Sequence, residues 1–292
     1  MSNVPQIDFI GIGAPKCGTT WLSAQLEAHP QIGFASDKEV YYFGDTIARR
    51  IAGRELHCFD RGVDWYHKQF PAIAGEIKCR GEFCPSYLYS EEAATRIAAY
   101  RPDIKLLVCI RPPAEMIYSW YWYGRSSVVA SLPESFGEMM KDPFLRDLGC
   151  FARYLRPYLD RFPAKNILVV QFAAIRREPA RVRRGVYEFL GVAADFKSKL
   201  EAMKNPARAA RFPMLQSGTQ RLYAGISAVP GVEKFLKWPA IAKMLQDAYH
   251  MLNTKTRKYE PLAPEERVKW EAYYAADQEE LSRVLRNVQI ID

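Results

Sequence analysis

The sequence predicts an α/β fold in three layers, a central parallel sheet flanked by helices. Three observations carry this expectation. Short apolar runs alternate along the chain with helix-length stretches, the pattern of strands joined by helical crossovers. The strongest run, Lys105–Ile110, has five apolar residues after one charge, as a strand buried on both faces requires. The first run, residues 7–12, passes through a glycine-bearing turn directly into a helix-like stretch.

The elements follow in order. Residues 7–12 read as the first strand and 21–28 as the first helix. Gly33 opens a turn, followed by a short extended piece through Glu39 to Phe43. A linker containing Gly53, Gly62, Trp65 and Tyr66 leads to Pro71. Gly75–Glu82 reads as a strand of alternating character that ends in a loop through Pro85. A helix is expected over Glu91–Tyr100, then the central strand Lys105–Ile110, stopped by Arg111-Pro-Pro. Ala114–Trp122 reads as a helix with Pro113 tolerated in its first turn. Cys150–Arg161 is another helix and Asn166–Val170 a further strand. A helix over Arg181–Leu190 is closed by Gly191. Beyond about residue 200 the pattern is mostly helical or irregular, with helices over 231–253 and 265–286. The whole chain, 1–292, is expected to be one domain whose last third completes the binding sites.

Composition narrows the function classes. A hydrophobic fraction of 49% supports a real core, yet no apolar stretch approaches the length of a membrane span. The N-terminus has no basic segment followed by an apolar one, which predicts a cytoplasmic protein. The six cysteines (17, 58, 79, 84, 109, 150) have neither CxxC spacing nor nearby histidines, so free thiols and no metal site are expected. The excess of 41 Lys+Arg over 33 Asp+Glu suits anionic ligands. The basic run from Arg176 to Arg184 lacks a nucleic-acid-reading motif, and no nucleic-acid partner is expected.

The segment from Gly11 to Thr20 carries the chemistry. Strand, glycine turn and helix start make a phosphate cradle, in which backbone N–H groups of Gly18, Thr19 and Thr20 converge on an anion and Lys16 adds a point charge. A Walker A loop would need lysine where Thr19 stands, so the spacing speaks against an ordinary nucleoside triphosphate. A second cluster runs from Arg111 to Ser119. Arg111 stands just past a core strand, at the carboxyl end where α/β ligands gather, and a guanidinium near a hydroxyl suits a phosphate monoester. Two anion sites on one sheet point to a ligand with phosphates at both ends, such as an adenosine bisphosphate.

These clusters resemble those of the sulfotransferases that use 3′-phosphoadenosine 5′-phosphosulfate. Pro15–Leu22 resembles the family's 5′-phosphosulfate loop and Arg111–Ser119 its 3′-phosphate motif. The likeness continues through Lys38–Phe43, Gly81–Tyr87 and Phe189–Val192, and returns weakly at Arg257–Leu262. It is nearer the bacterial and heparan-type branch than the cytosolic phenol and steroid enzymes. The resemblance implies a P-loop-like fold, no metal, and sulfuryl transfer to a hydroxyl, or less readily an amine, of a glycan, lipid or small metabolite. It implies that Lys16 contacts the phosphosulfate and stabilises the leaving phosphate. Gly18, Thr19 and Thr20 would hold the 5′-phosphate, Trp21 would lie on the adenine side, and Arg111 and Ser119 would hold the 3′-phosphate. Lys255 and Arg257 resemble a late basic stretch of the heparan-type branch and join the cofactor set. Glu39 matches that branch's catalytic glutamate, with Tyr41 where the branch has histidine.

An acceptor hydroxyl is a poor nucleophile until a base takes its proton, and Glu39 is the candidate base. A pairing with Lys38 is unfavourable if the segment is a strand, since neighbours there point to opposite faces. His29, His57, His67 and His250 are rival bases, with His29 placed to cap a helix end. Aromatic residues between Tyr41 and Tyr89 (Phe43, Phe59, Trp65, Tyr66, Phe70, Phe83, Tyr87), with the Trp120–Tyr123 run, are candidates for an acceptor pocket or the core. The alternatives are a small-molecule or nucleotide kinase, which would need ATP and magnesium, and a nucleotide-binding protein without catalysis.

Overall fold

The computed structural model describes residues 6–44, 58–71, 75–125, 132–198, 208–210, 254–256 and 259–292. The first half runs β1 (Phe9–Gly13), α1 (Thr19–Glu27), β2 (Ile32–Phe34), α2 (Val63–His67), β3 (Cys79–Phe83), α3 (Glu91–Tyr100) and β4 (Lys105–Ile110). It continues with α4 (Pro113–Arg125), α5 (Phe136–Met139), α6 (Pro143–Asp147), α7 (Phe151–Leu159), β5 (Ile167–Gln171), α8 (Phe172–Arg177) and α9 (Pro179–Leu190). The last elements are β6 (Arg208–Ala210), β7 (Thr254–Thr256), α10 (Pro264–Val284) and β8 (Gln289–Ile291).

Six strands form one sheet in the order β2-β3-β1-β4-β5-β8, and every pair in it is parallel. All five residues of β1 are buried, and so are the four middle residues of β4, as central strands covered by helices require. Packing divides the chain within α4. The first unit, residues 1–116, 148–204 and 269–292, contains the sheet. Its α3 starts at Ser90, whose hydroxyl accepts from the Ala93 N–H at 2.9 Å, with Glu91 and Glu92 favourably placed in the first turn. The start of α7 is capped from far along the chain: the Asp277 carboxylate on α10 accepts from the N–H groups of Ala152 and Arg153. The second unit, residues 117–147 and 205–268, has its own aromatic cluster. There Trp122 stacks on Tyr259 at 5.7 Å, Tyr118 meets Phe136 edge-on, and the Tyr118 hydroxyl donates to the Glu260 carbonyl. The antiparallel pair β6–β7 belongs to this unit.

The expected strands and long helices are present, with Glu91–Tyr100 and Lys105–Ile110 at their predicted bounds. The helix expected over 265–286 is α10, and Gly191 closes α9 with its N–H on the Tyr187 carbonyl. The predicted helix 231–253 lies outside the described residues. Two strands of the sheet were not foreseen. β2 and β8 are the edge strands, three residues each, too short to produce a periodic signal, and β8 buries only Ile291. The extended piece expected through Glu39 to Phe43 is irregular. No cysteine is in a disulfide. No helix among the described residues is long and apolar enough to cross a membrane.

The β1–β3 contact leaves no room for a side chain at Gly81. A Cβ there would lie 2.3 Å from the Phe9 carbonyl oxygen and 2.5 Å from its ring. Because the nearest atom is backbone, it has little freedom to give way. The substitution Gly81→Ala is expected to cost about 1–3 kcal/mol, the usual range for overpacking. Chemical denaturation checks this, and an unchanged midpoint would contradict the close approach.

Candidate active site

The loop between β1 and α1 is a cradle on physical grounds. Gly18 caps α1 with φ 91°, no side chain caps the helix start, and its first turn has no acidic residue. The first N–H groups therefore lack the usual side-chain acceptor, at the positive end of the helix dipole. A Cβ on Gly18 would fall 2.7 Å from Ile175 Cδ1 and 3.1 Å from the Phe172 ring, so both the backbone angle and the packing demand glycine. Lys16 is held at φ 63°, a conformation that L side chains rarely adopt. The Ala14 N–H donates to the Cys109 carbonyl at 2.8 Å and ties the loop to the end of β4. Cys17 is fully buried; burial pushes its thiol well up, and the nearby Arg111 and Lys16 charges pull it partly back.

Arg111 follows β4. Its guanidinium lies over the Phe172 ring at 4.7 Å and donates to Glu115 Oε2 from Nη2 at 3.0 Å and from Nε at 3.2 Å. Phe172 thus touches both the cradle, at Gly18, and Arg111. Thr19 and Trp21 are buried in the first turn of α1, whereas Thr20 is exposed. Ser119 is buried on α4, in the second unit. Lys255 lies on β7 of that unit, paired in register with Ala209. Arg257 lies outside the described residues.

Glu39 is joined to the cradle by one lysine. Lys38 Nζ donates to Glu39 Oε1 at 3.3 Å and to Thr20 Oγ1 at 3.4 Å. The expectation that Lys38 and Glu39 point apart is overturned: the segment is not a strand, so the alternation of a pleat does not apply. Tyr41, at φ 58°, turns its hydroxyl onto Glu39 Oε2. Glu39 is about one-third exposed (32%), open enough to meet a ligand.

Beneath this turn lies a carboxylate that sequence reading missed. Glu82 is completely buried on β3. Its Oε2 accepts from the Val40 N–H at 3.2 Å and its Oε1 from the Tyr87 hydroxyl at 3.3 Å. Tyr87 in turn accepts from the Phe43 N–H at 3.2 Å. Burial raises the Glu82 pKa to about 7, with Tyr66, the Val40 amide and Tyr87 holding it down and the Glu39 charge adding to the rise. The Tyr66 hydroxyl faces this carboxylate without a hydrogen bond of ordinary geometry. The alternation read over Gly75–Glu82 puts Glu82 on a polar face with Lys78 and Arg80. The only sequence signal against that reading was an acidic residue set between Gly81 and Phe83.

The rival histidines have structural tasks where they are described. His29 does not cap the helix with its side chain: Nδ1 accepts from the Gln31 N–H in the following loop and Nε2 pairs with the distant Ala193 carbonyl. His67 Nε2 pairs with the Tyr100 hydroxyl at 2.9 Å, and burial lowers its pKa. His57 and His250 lie outside the described residues. Of the candidate pocket aromatics, Tyr66, Phe70, Phe83 and Tyr87 are core. Phe43 and Phe59 join Tyr42, Arg96 and Tyr100 around a cleft of about 320 Å³. Among the described residues no cluster of side chains could hold a metal ion.

A sulfotransferase domain family model matches residues 6–229. The chain is 27% identical to the mouse (Mus musculus) bifunctional heparan sulfate N-deacetylase/N-sulfotransferase 4, over 96% of its own length and 30% of that protein's. It is 31% identical to the mouse heparan sulfate glucosamine 3-O-sulfotransferase 3B1, over 62% of this chain and 45% of that protein. The chain thus spans less than half the length of these relatives. Among solved structures, a sulfotransferase from Alicyclobacillus acidocaldarius superposes with a TM-score of 0.64 at 21% identity, covering 97% of this chain and 96% of that one. Mouse sulfotransferase SULT7A1, complexed with PAP, superposes with a TM-score of 0.54 at 14% identity, covering 97% and 88%. At these identities the two structures share the α/β fold.

The raised Glu82 pKa has a consequence for stability. Below the ordinary carboxylate pKa of 4.5 both folded and unfolded chains carry the proton, and the group costs nothing. Between 4.5 and about 7 the unfolded chain releases a proton that the folded one keeps, so stability falls as pH rises through this window. The loss is on the order of 3 kcal/mol at one pKa unit per 1.36 kcal/mol. Glu82→Gln is expected to remove this component, so that its melting temperature falls less than the parent's between pH 5 and 7.5. Identical pH dependence in the two proteins would contradict the buried carboxylate.

Proposed function

The chain belongs to the sulfotransferase domain family, and we propose that it moves a sulfuryl group from 3′-phosphoadenosine 5′-phosphosulfate to a hydroxyl or amine of a glycan. The observation that carries this reading is the Lys38 ammonium shared between Thr20 at the cradle and Glu39. One cation thereby links the first turn of α1 to the Glu39 carboxylate, which supports a reading of donor cradle and base. The glycan acceptor is supported by the relatives, which are named as a heparan sulfate N-sulfotransferase and a heparan sulfate glucosamine 3-O-sulfotransferase.

The residues present fit the donor. An uncapped helix start, a glycine at φ 91° and two cations suit a phosphosulfate at Lys16, Gly18, Thr19 and Thr20 and a second phosphate at Arg111. When bound, the donor supplies a sulfuryl group whose leaving group is a phosphate. The α1 amides and Lys16 would hold its phosphate and stabilise the negative charge released onto it on transfer. Glu39 accepts the proton of the acceptor as the new bond to sulfur forms. Lys38 keeps the carboxylate beside the cradle and would add a positive charge for a bound sulfuryl group.

Titration calorimetry in chelator is expected to show adenosine 3′,5′-bisphosphate binding; binding of ATP with magnesium alone would overturn the reading. Transfer from the phosphosulfate to a panel of de-N-sulfated heparan oligosaccharides, simple amino sugars and alkyl alcohols tests the acceptor class. Product from the alcohols alone would remove the glycan. Glu39→Gln is expected to bind the bisphosphate as the parent does and to lose about 10²–10⁴-fold in turnover, the usual share of general base catalysis.

Arg111→Ala tests the second phosphate. Its grip is remote from the reacting sulfur and equal in ground and transition states, so it should raise the KM for donor more than it lowers kcat. Unchanged donor saturation with collapsed kcat would show another role.

A further inference from the structure

Resting on Glu39 as the base, we infer that the buried Glu82 is a positioning residue for the transfer, fixing the 40–43 turn through which Tyr41 orients Glu39. The geometry is specific. One carboxylate controls both ends of the turn: Val40 donates to it directly, and Phe43 donates to the Tyr87 hydroxyl that it accepts from. Between those anchors stands Tyr41, at φ 58° with its hydroxyl on Glu39. A non-glycine residue holds such an angle only where its surroundings over-determine it. The two backbone anchors on Glu82 supply that constraint, and the lever they fix ends on the base.

The device depends on the charge of Glu82. Ionised, the carboxylate accepts from the Val40 amide and the Tyr87 hydroxyl together. Protonated on Oε1, it would set its own hydrogen against that of Tyr87, whose oxygen already takes the Phe43 N–H. The groups acting on it from the surrounding elements are Tyr66 on α2, Tyr87 after β3, Glu39, and the thiols Cys58 and Cys84. Burial raises its pKa to about 7, against the lowering by Tyr66, the Val40 amide and Tyr87 and with a small addition from the Glu39 charge.

The test reads turnover as release of adenosine 3′,5′-bisphosphate from the phosphosulfate between pH 5.5 and 9. An acceptor from the panel above is used, or water where none is sulfated. In the parent, kcat is expected to rise with pH through about 7. Glu82→Gln should keep the parent's bisphosphate affinity by calorimetry, lose the rise near pH 7, and fall about 10²-fold in kcat, the scale of a small misplacement of a catalytic group. Tyr87→Phe, which spares Glu82 and serves if the first variant does not fold, removes a hydrogen bond that holds the Glu82 pKa down. Its rise in kcat should move to higher pH, a change that a role in packing alone would not produce. Parental kcat and pH profile in Glu82→Gln, an unmoved rise in Tyr87→Phe, or a kcat loss in Glu82→Gln matched by lost bisphosphate affinity would each overturn the inference. Glu39→Gln run alongside separates the failures. If it is fully active, the base assignment falls and this inference with it. If it is inactive while Glu82→Gln is not, only the positioning role falls.

Discussion

The site depends on a ring that has no chemistry of its own. Phe172 is the first residue after β5, and it packs against Gly18 on one side while Arg111 lies over its face. That arrangement follows from the parallel order of β1, β4 and β5, whose carboxyl ends emerge along the same edge. Each strand contributes the residues immediately after it: the cradle from β1, Arg111 from β4 and Phe172 from β5. An antiparallel neighbour would have sent one of these groups to the opposite edge of the sheet.

Charge at this edge is concentrated and provisionally matched. Lys16 and Arg111 act together on the buried Cys17 thiol, and Lys38 acts on that of Cys109. Arg111 has Glu115 as partner and Lys38 has Glu39. Both carboxylates keep partial exposure, so these pairs are modest in energy and can share their cations with an incoming anion. A cation set that an anion can enter without losing all its partners suits reversible binding of a highly charged donor. The cradle adds N–H dipoles at no cost in reorganisation, because Gly18 already holds them in place.

Strain is stored in the same places. Among the described residues, Lys16 and Tyr41 are the non-glycine positions at positive φ, and they sit in the cradle and beside Glu39. Each costs roughly 1–3 kcal/mol if unsupported. The cradle is supported by packing against α8 and the Ala14–Cys109 hydrogen bond, the Tyr41 turn by the buried Glu82. Both supports are remote in sequence from the residues they hold.

Local chemistry was readable from residue order alone. The run Lys105–Ile110 reads as a buried strand, and glycine, lysine and two threonines at a strand-to-helix turn read as an anion cradle. Glu39 rests on the family resemblance rather than on local chemistry, and in the basic stretch Arg181 is exposed and paired with Glu178 and Asp292. What the sequence determined was thus set by contacts within a few residues: periodicity, caps and the composition of one loop. Tertiary structure alone decided the rest. It turned Lys38 onto Glu39, buried Glu82 on a strand whose alternation read as solvent-facing, and added β2 and β8, whose three residues carry no period. It also brought Phe172 beneath two segments far from it in the chain. Those outcomes depend on which strands become neighbours, and a carboxylate's burial or a ring's position is fixed by that pairing rather than by the residues on either side.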